Sequence, residues 1–166
     1  MIKLRHLAFA FALSVAAALP TLAQDVKVIK YEDLEKLRQL PHDTLYVVNF
    51  WATWCGPCIK ELHYFEAANR QYKNQPVKVI LVSMDAVQDL EKRVNTFAKK
   101  RKLQSELLLL DEPDGNTFID KVDPKWTGAI PATILFNNKR NTYYFLEGEM
   151  KQEQLQQLIQ EYKPKP

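Results

Sequence analysis

Leu45-Tyr46-Val47-Val48-Asn49-Phe50-Trp51 runs directly into Ala52-Thr53-Trp54-Cys55-Gly56-Pro57-Cys58. The first half is a continuous apolar, β-branched and aromatic run in which Asn49 alone is strongly polar, the composition of a strand buried on both faces. Beyond Pro57 the pattern becomes helical to about Tyr72, and Leu62 and Phe65 share a face with Cys58. The two cysteines therefore stand where a buried strand gives way to a helix. Pro57 suits the first helical turn, where its missing N–H would have had no intrahelical partner. The helix N-terminus carries partial positive charge and favours a thiolate. Cys55 precedes the first turn, so its sulfur is expected to be exposed and its pKa lowered. Cys58 lies inside the first turn and is expected to be more buried. The two-residue spacer lets both sulfurs meet in a small disulfide ring.

Working outward, Val26 to Lys30 alternates weakly, as a short edge strand does. Glu32 to Leu40 carries Leu34, Leu37 and Leu40 at helical spacing until Pro41-His42-Asp43 breaks it. On the other side, Val77 to Met84 reads as a second buried strand. Leu90, Val94, Phe97 and Ala98 trace an amphipathic helix that ends near the basic run Lys99 to Lys102, a composition suited to a helix C-terminus. Leu107 to Leu110 is a short strand, Asp114-Gly115 a turn, and Asn116 to Val122 a short helix. Ala132 to Phe136 and Thr142 to Leu146 form a hairpin signal around Asn137 to Asn141. Leu155, Leu158, Ile159 and Tyr162 define a closing helix. Strands alternating with helices, then a hairpin and a last helix, predict an α/β domain with a mixed sheet flanked by helices on both faces.

The 166 residues, 46% hydrophobic and 26% charged, suit one globular domain with a real core. Residues 1–23 read as a cleavable signal peptide, and 24–166 as the domain. Lys3 and Arg5 open the segment, an uncharged apolar run extends from Leu7 to Leu19, and small residues lead to a cut after Ala23. The apolar run is shorter than the roughly 20 residues that span a bilayer; the other reading is an uncleaved N-terminal anchor. No cysteine follows the cut to carry a lipid. Without Lys3 and Arg5 the formal charge falls from +3 to about +1, too small to argue for a nucleic-acid partner. With 4 glycines in the chain there is little room for a phosphate-binding loop. The expected location is the periplasm, where disulfide chemistry is permitted.

For the cysteine pair, thiol–disulfide exchange competes with three blander readings. As an inert staple the pair would close too small a loop to restrain much of the chain. As half of a metal site it would need His42 or His63, and His63, five residues past Cys58 on the same helix, does not match a Cys2His2 spacing. The spacing could also be chance, but its place between buried strand and helix, in a chain with an export signal, favours redox chemistry. Cys55 would attack a partner disulfide, and Cys58 would then attack Cys55 and release the reduced partner.

The run from Val47 to Cys58 resembles the active site of the thioredoxin superfamily. Gly128-Ala129-Ile130-Pro131-Ala132-Thr133 is similar to its second landmark, a cis-proline loop facing the cysteines. The export signal and an extra strand–helix stretch between the landmarks resemble the TlpA/ResA type of periplasmic thiol–disulfide oxidoreductase. The resemblance implies a thioredoxin fold with a strand–helix insertion between the two landmarks. It also implies that Pro131 is cis and lies beside the cysteines, and that the backbone of Ile130 binds an extended partner segment. Thioredoxin carries a buried aspartate where this chain has Asn49, which cannot take a proton from Cys58. Glu61, one helical turn after Cys58, borders the buried face and is the candidate proton exchanger; the resemblance makes it an active-site residue. Otherwise it is a solvated helix carboxylate.

Of the remaining features, Trp54 offers apolar cover and contact to a partner, Trp51 reads as core, and Trp126 as either packing or a partner contact. Asp85 reads as a strand-end cap, and His63 as a surface residue. The expected protein is a monomeric exported oxidoreductase with Gly56 and Pro57 as the motif spacer. It needs no cofactor or metal, because the electrons travel on sulfur. Its partners are protein disulfide or dithiol clients and a protein electron donor. It has no nucleic-acid partner and no membrane anchor after cleavage. The Gly-Pro spacer and the resemblance lean toward a reductant. Two other readings are a protein-binding or chaperone-like module whose redox activity is incidental and, more weakly, a peroxide reductase.

Overall fold

The computed structural model describes residues 25–165. The signal-peptide reading falls on 1–23, outside the described residues. In chain order the elements are β1 (Lys27–Ile29), α1 (Tyr31–Leu37), β2 (Leu45–Trp51), α2 (Gly56–Gln71), β3 (Val77–Ser83), α3 (Thr96–Arg101), β4 (Glu106–Leu110), α4 (Ile119–Val122), β5 (Ala132–Asn137), β6 (Thr142–Glu147) and α5 (Gln152–Tyr162). The strands form one six-stranded sheet in the order β1-β4-β3-β2-β5-β6. β2 runs parallel to β3 and antiparallel to β5, which makes the sheet mixed and puts the cysteine-bearing strand at its centre.

The apolar run of β2 is accounted for by burial of all seven of its residues. Side chains alternate across the sheet. Leu45, Val47 and Trp51 join the core that holds Cys58, Leu62 and Phe65 of α2 with Leu155 and Ile159 of α5. Tyr46, Val48 and Phe50 join Tyr31 and Leu34 of α1, Phe118 and Trp126 on the opposite face. By the same alternation Asn49 belongs to the α2 side, and this brings a polar group to the cysteine helix.

Two segments depart from the sequence expectation. The first helix stops at Leu37 rather than Leu40; Arg38 and Gln39 continue only as tight turns, donating to Glu35 O and Lys36 O. The residue before a proline is disfavoured in the α region, and Pro41 so excludes Leu40 from the helix. The carbonyls freed at Leu37 and Leu40 both accept from the Asn138 amide. The helix read from Leu90 onward is wound as a π-helix over Leu90–Asn95 before α3 begins. This wider turn accompanies two successive buried residues, Val94 and Asn95, and the Asn95 side-chain Oδ1 accepts from Val26 N–H at 3.1 Å, tying down the entry to β1.

One buried carboxylate has a structural task. Glu66 of α2 is 5% exposed and accepts from Gln104 N and Ser105 N, holding the entry to β4. A glutamine can serve only one of those donors with its single carbonyl oxygen. Glu66→Gln is therefore expected to cost about 1–3 kcal/mol, read as a lower urea midpoint with an unchanged slope.

Candidate active site

Cys55 and Cys58 are joined in a disulfide with their Cα atoms 5.3 Å apart. Cys55 is the N-cap of α2, in extended conformation, and its Sγ accepts from Cys58 N–H at 3.2 Å. That donor and the helix dipole both act on the sulfur that would carry the charge after reduction. The two cysteines are 5% and 0% exposed. The expected order of burial holds, but Cys55 is not the freely exposed sulfur that its place before the helix suggested. The reason is tertiary: Ile130 O lies 3.7 Å from Cys55 Sγ, a contact rather than a hydrogen bond, because the disulfide sulfur has no proton to donate. Access is left on the side of Trp54, Gly56 and Pro57, all exposed; the Trp54 side chain is 62% exposed. A methyl group at Gly56 would meet nothing within 4 Å.

The loop that brings Ile130 here is fastened at several points. The Ile130–Pro131 bond is cis. Trp126 Nε1 donates to Ala129 O at 2.8 Å, and its ring packs on Phe50 and Phe118; at 3% exposed it is a packing residue of this loop. Thr127 N–H and hydroxyl donate to the Glu147 carboxylate, and Gly148 N–H donates to Pro131 O. Gly128 has φ 88°, a left-handed conformation that favours glycine, and a Cβ there would also push on the movable end of the Ile119 side chain.

Glu61 lies within the buried face of α2 and not at its border; it is 2% exposed. Its Oε1 accepts from Asn49 Nδ2 at 2.8 Å and its Oε2 from Met150 N at 2.6 Å. Asn49 Nδ2 also donates to Thr133 Oγ1, while Asn49 Oδ1 has no partner among the described residues. Burial raises the carboxyl pKa to about 7, against the two N–H donors, which favour the charged form. The residue also lines a cavity of about 220 Å³ with Lys60, Tyr64, Glu149, Met150 and Lys151. A carboxyl that titrates near neutrality, one helical turn from the inner cysteine and beside a solvent-sized cavity, is suited to passing a proton.

The solvated-carboxylate reading of Glu61 is thereby removed. His63 is exposed and packs at a tilt against Tyr64. Asp85, read from the sequence only as a strand-end cap, is 2% exposed and accepts from Thr53 N and Ser83 Oγ, a tie to the cysteine segment that the reading did not include. Its position at the end of the strand beside the cysteine strand was the available signal.

A sequence profile described as the AhpC/TSA family matches residues 16–144. Thiol-disulfide oxidoreductase ResA of Bacillus cereus is 29% identical over 117 residues, covering 70% of this chain and 62% of the relative. The ResA of Halalkalibacterium halodurans is 26% identical over 137 residues, covering 80% of this chain and 72% of the relative. The chain thus spans about 62% of the length of the Bacillus cereus relative. Among solved structures, StoA from Bacillus subtilis superposes with TM-score 0.54 at 26% identity, covering 69% of this chain and 81% of that one. A thiol:disulfide interchange protein of the thioredoxin family from Chlorobium tepidum TLS superposes with TM-score 0.61 at 16% identity, covering 74% and 81%. Both cysteines, Glu61 and the cis-proline fall inside the matched stretch, and the chain belongs to the AhpC/TSA family, with a thioredoxin-type fold.

Proposed function

We propose that the protein is an exported thiol–disulfide oxidoreductase that reduces disulfides of other proteins. The observation that carries this reading is the Cys55–Cys58 disulfide at the head of α2, with a backbone N–H on the outer sulfur and the inner sulfur fully buried. The reaction starts from the dithiol. The Cys55 thiolate attacks one sulfur of a client disulfide, a Cys55–client bond forms, and the client's other sulfur leaves as a thiolate and takes up a proton. Cys58 then gives its proton to Glu61 and attacks Cys55 Sγ. The Cys55–Cys58 bond forms as the Cys55–client bond breaks, and the client's second sulfur leaves as a thiolate that takes up a proton from solvent, completing the dithiol. Two electrons pass to the client, and a donor dithiol protein must return them. No cofactor enters the balance.

Ile130 and Pro131 present backbone beside Cys55, and Trp54 offers an exposed aromatic surface; these are the proposed client contacts. The N-terminal segment is the proposed export signal, the mature protein is proposed to be periplasmic, and one chain suffices for the chemistry. Among the described residues no helix is long and apolar enough to cross a membrane.

The test is equilibration of the Cys55/Cys58 couple with a glutathione buffer, read by thiol labelling. A reductant is expected near about −270 mV, while a value near about −120 mV would make the protein an oxidant and reverse the direction proposed.

A further inference from the structure

Asp85 sits outside the disulfide but is fastened to the segment that delivers it. Thr53 N–H donates to its Oδ2 at 2.9 Å, and the Thr53 hydroxyl donates to Oδ1. Ser83 Oγ, at the end of β3, donates to the same Oδ2 at 2.8 Å and in turn accepts from Asp85 N–H. Met84 N–H reaches across to Trp51 O at 2.7 Å, so the ends of β2 and β3 are also joined through the backbone beside this clasp. From Thr53 the chain needs only Trp54 to reach Cys55, whose own N–H returns to Ala52 O. The segment 52–55 leaves the sheet without strand pairing, and apart from the bonds of Cys55 Sγ itself, the Asp85 carboxylate is its side-chain tether among the described residues.

Resting on the thiol–disulfide reading above, we propose that Asp85 is a positioning residue for the reaction, and that its clasp on Thr53 holds Cys55 Sγ against the Cys58 N–H and at the Ile130 carbonyl. A carboxylate suits this place because three donors converge on it: the Thr53 N–H, the Thr53 hydroxyl and the Ser83 hydroxyl. An amide keeps the two Oδ2 contacts only with its NH₂ in the Oδ1 place, where the Thr53 hydroxyl must turn from donor to acceptor and every bond of the clasp loses its charge-assisted strength. Asp85→Asn therefore releases part of the tether. Misalignment of the outer sulfur forfeits the N–H that stabilises its thiolate and the geometry for attack.

The charge change alone acts in the other direction. Removing a buried negative charge near Cys55 favours the thiolate and would raise its reactivity. The sign of the change therefore separates the two roles. The experiment measures alkylation of Cys55 by iodoacetamide in the reduced protein at neutral pH, and the equilibrium of the couple with glutathione. Thr53→Val tests the clasp with no change of charge, and Thr53→Ser keeps the hydroxyl.

Positioning predicts that Asp85→Asn slows alkylation about tenfold, that Thr53→Val slows it less, and that Thr53→Ser restores the wild-type rate. The couple of Asp85→Asn becomes about tenfold easier to oxidise, a potential about 30 mV more negative. Glu66→Gln, which loosens a buried carboxylate clasp at the entry to β4, should lower stability while leaving both readings unchanged. Faster alkylation of Asp85→Asn would overturn the proposal in favour of an electrostatic role. An unchanged rate and potential with only a lower melting temperature would leave Asp85 a structural residue and sink it. Failure of the wild-type protein to exchange with any disulfide would instead count against the reaction itself, a result the alkylation series does not depend on.

Discussion

Cys58→Ser is expected to abolish multiple turnover, by at least about 10³-fold, and to leave client proteins covalently attached to Cys55. The variant keeps everything the first attack requires. Cys55 remains the N-cap of α2, and residue 58 still supplies its backbone N–H to the outer sulfur. What is lost is the second nucleophile, since a serine hydroxyl does not displace a thiolate from a disulfide. Mixed disulfides should appear as reductant-sensitive bands on a non-reducing gel. Cys55→Ser should give none, because the remaining sulfur is sealed in the core. Circular dichroism must show both variants folded, since a hydroxyl at a fully buried site costs about 1–3 kcal/mol when unpaired. Absence of adducts from a folded Cys58→Ser protein would remove thiol exchange from the reading and favour a binding module. Equal trapping by Cys55→Ser would reverse the two roles.

How far the sequence foretold this arrangement depends on how local each signal was. The unbroken apolar run before Cys55 could only be satisfied at the centre of a sheet, and β2 lies there, buried on both faces. Leu62 and Phe65 likewise marked the inner face of α2 correctly, because helical period and burial act within a few residues. Glu61 shows where such reasoning stops. The periodicity put it at the border of that face, yet it is enclosed by Met150, 89 positions away, and by Asn49 from the adjoining strand. Nothing within a turn of Glu61 announces either partner. Cys55 was read as exposed on its position alone; the Ile130 carbonyl that approaches it comes from 75 positions along the chain. Asp85 looked like an ordinary strand-end residue, and only the β2–β3 pairing shows that the strand end adjoins Thr53. Asn49 was legible in a different way: its amide excludes proton transfer, and in the fold it donates to the group that replaces it.

The clearest pH signature should come from Glu61→Gln. In the folded oxidised protein the Glu61 carboxyl titrates at about 7, against an ordinary value of 4.5. From pH 4.5 upward the unfolded chain releases this proton while the folded chain retains it, so folding stability declines with rising pH until the folded group also ionises. The contribution is fully present below about pH 4.5 and lost as the pH passes about 7. At about 1.4 kcal/mol per pH unit, the loss is on the order of 3 kcal/mol. Glutamine is uncharged throughout and should lack this decline. Its NH₂ needs an acceptor, and Asn49 Oδ1, buried without a partner among the described residues, can provide one if the asparagine amide turns over. Urea unfolding at pH 5 and pH 8 is therefore expected to show Glu61→Gln gaining on the wild type by about 2–3 kcal/mol across the interval. Exchange should move the opposite way. Below about pH 7 the wild-type carboxyl is already protonated and cannot accept the Cys58 proton; above it the group becomes a base. The wild-type resolving step should rise through an inflection near neutrality. In Glu61→Gln that inflection should vanish and the rate above pH 8 should fall about 10²-fold. Parallel pH profiles for the two proteins, in stability and in rate, would show that Glu61 carries no titrating proton and that Cys58 is deprotonated by another route.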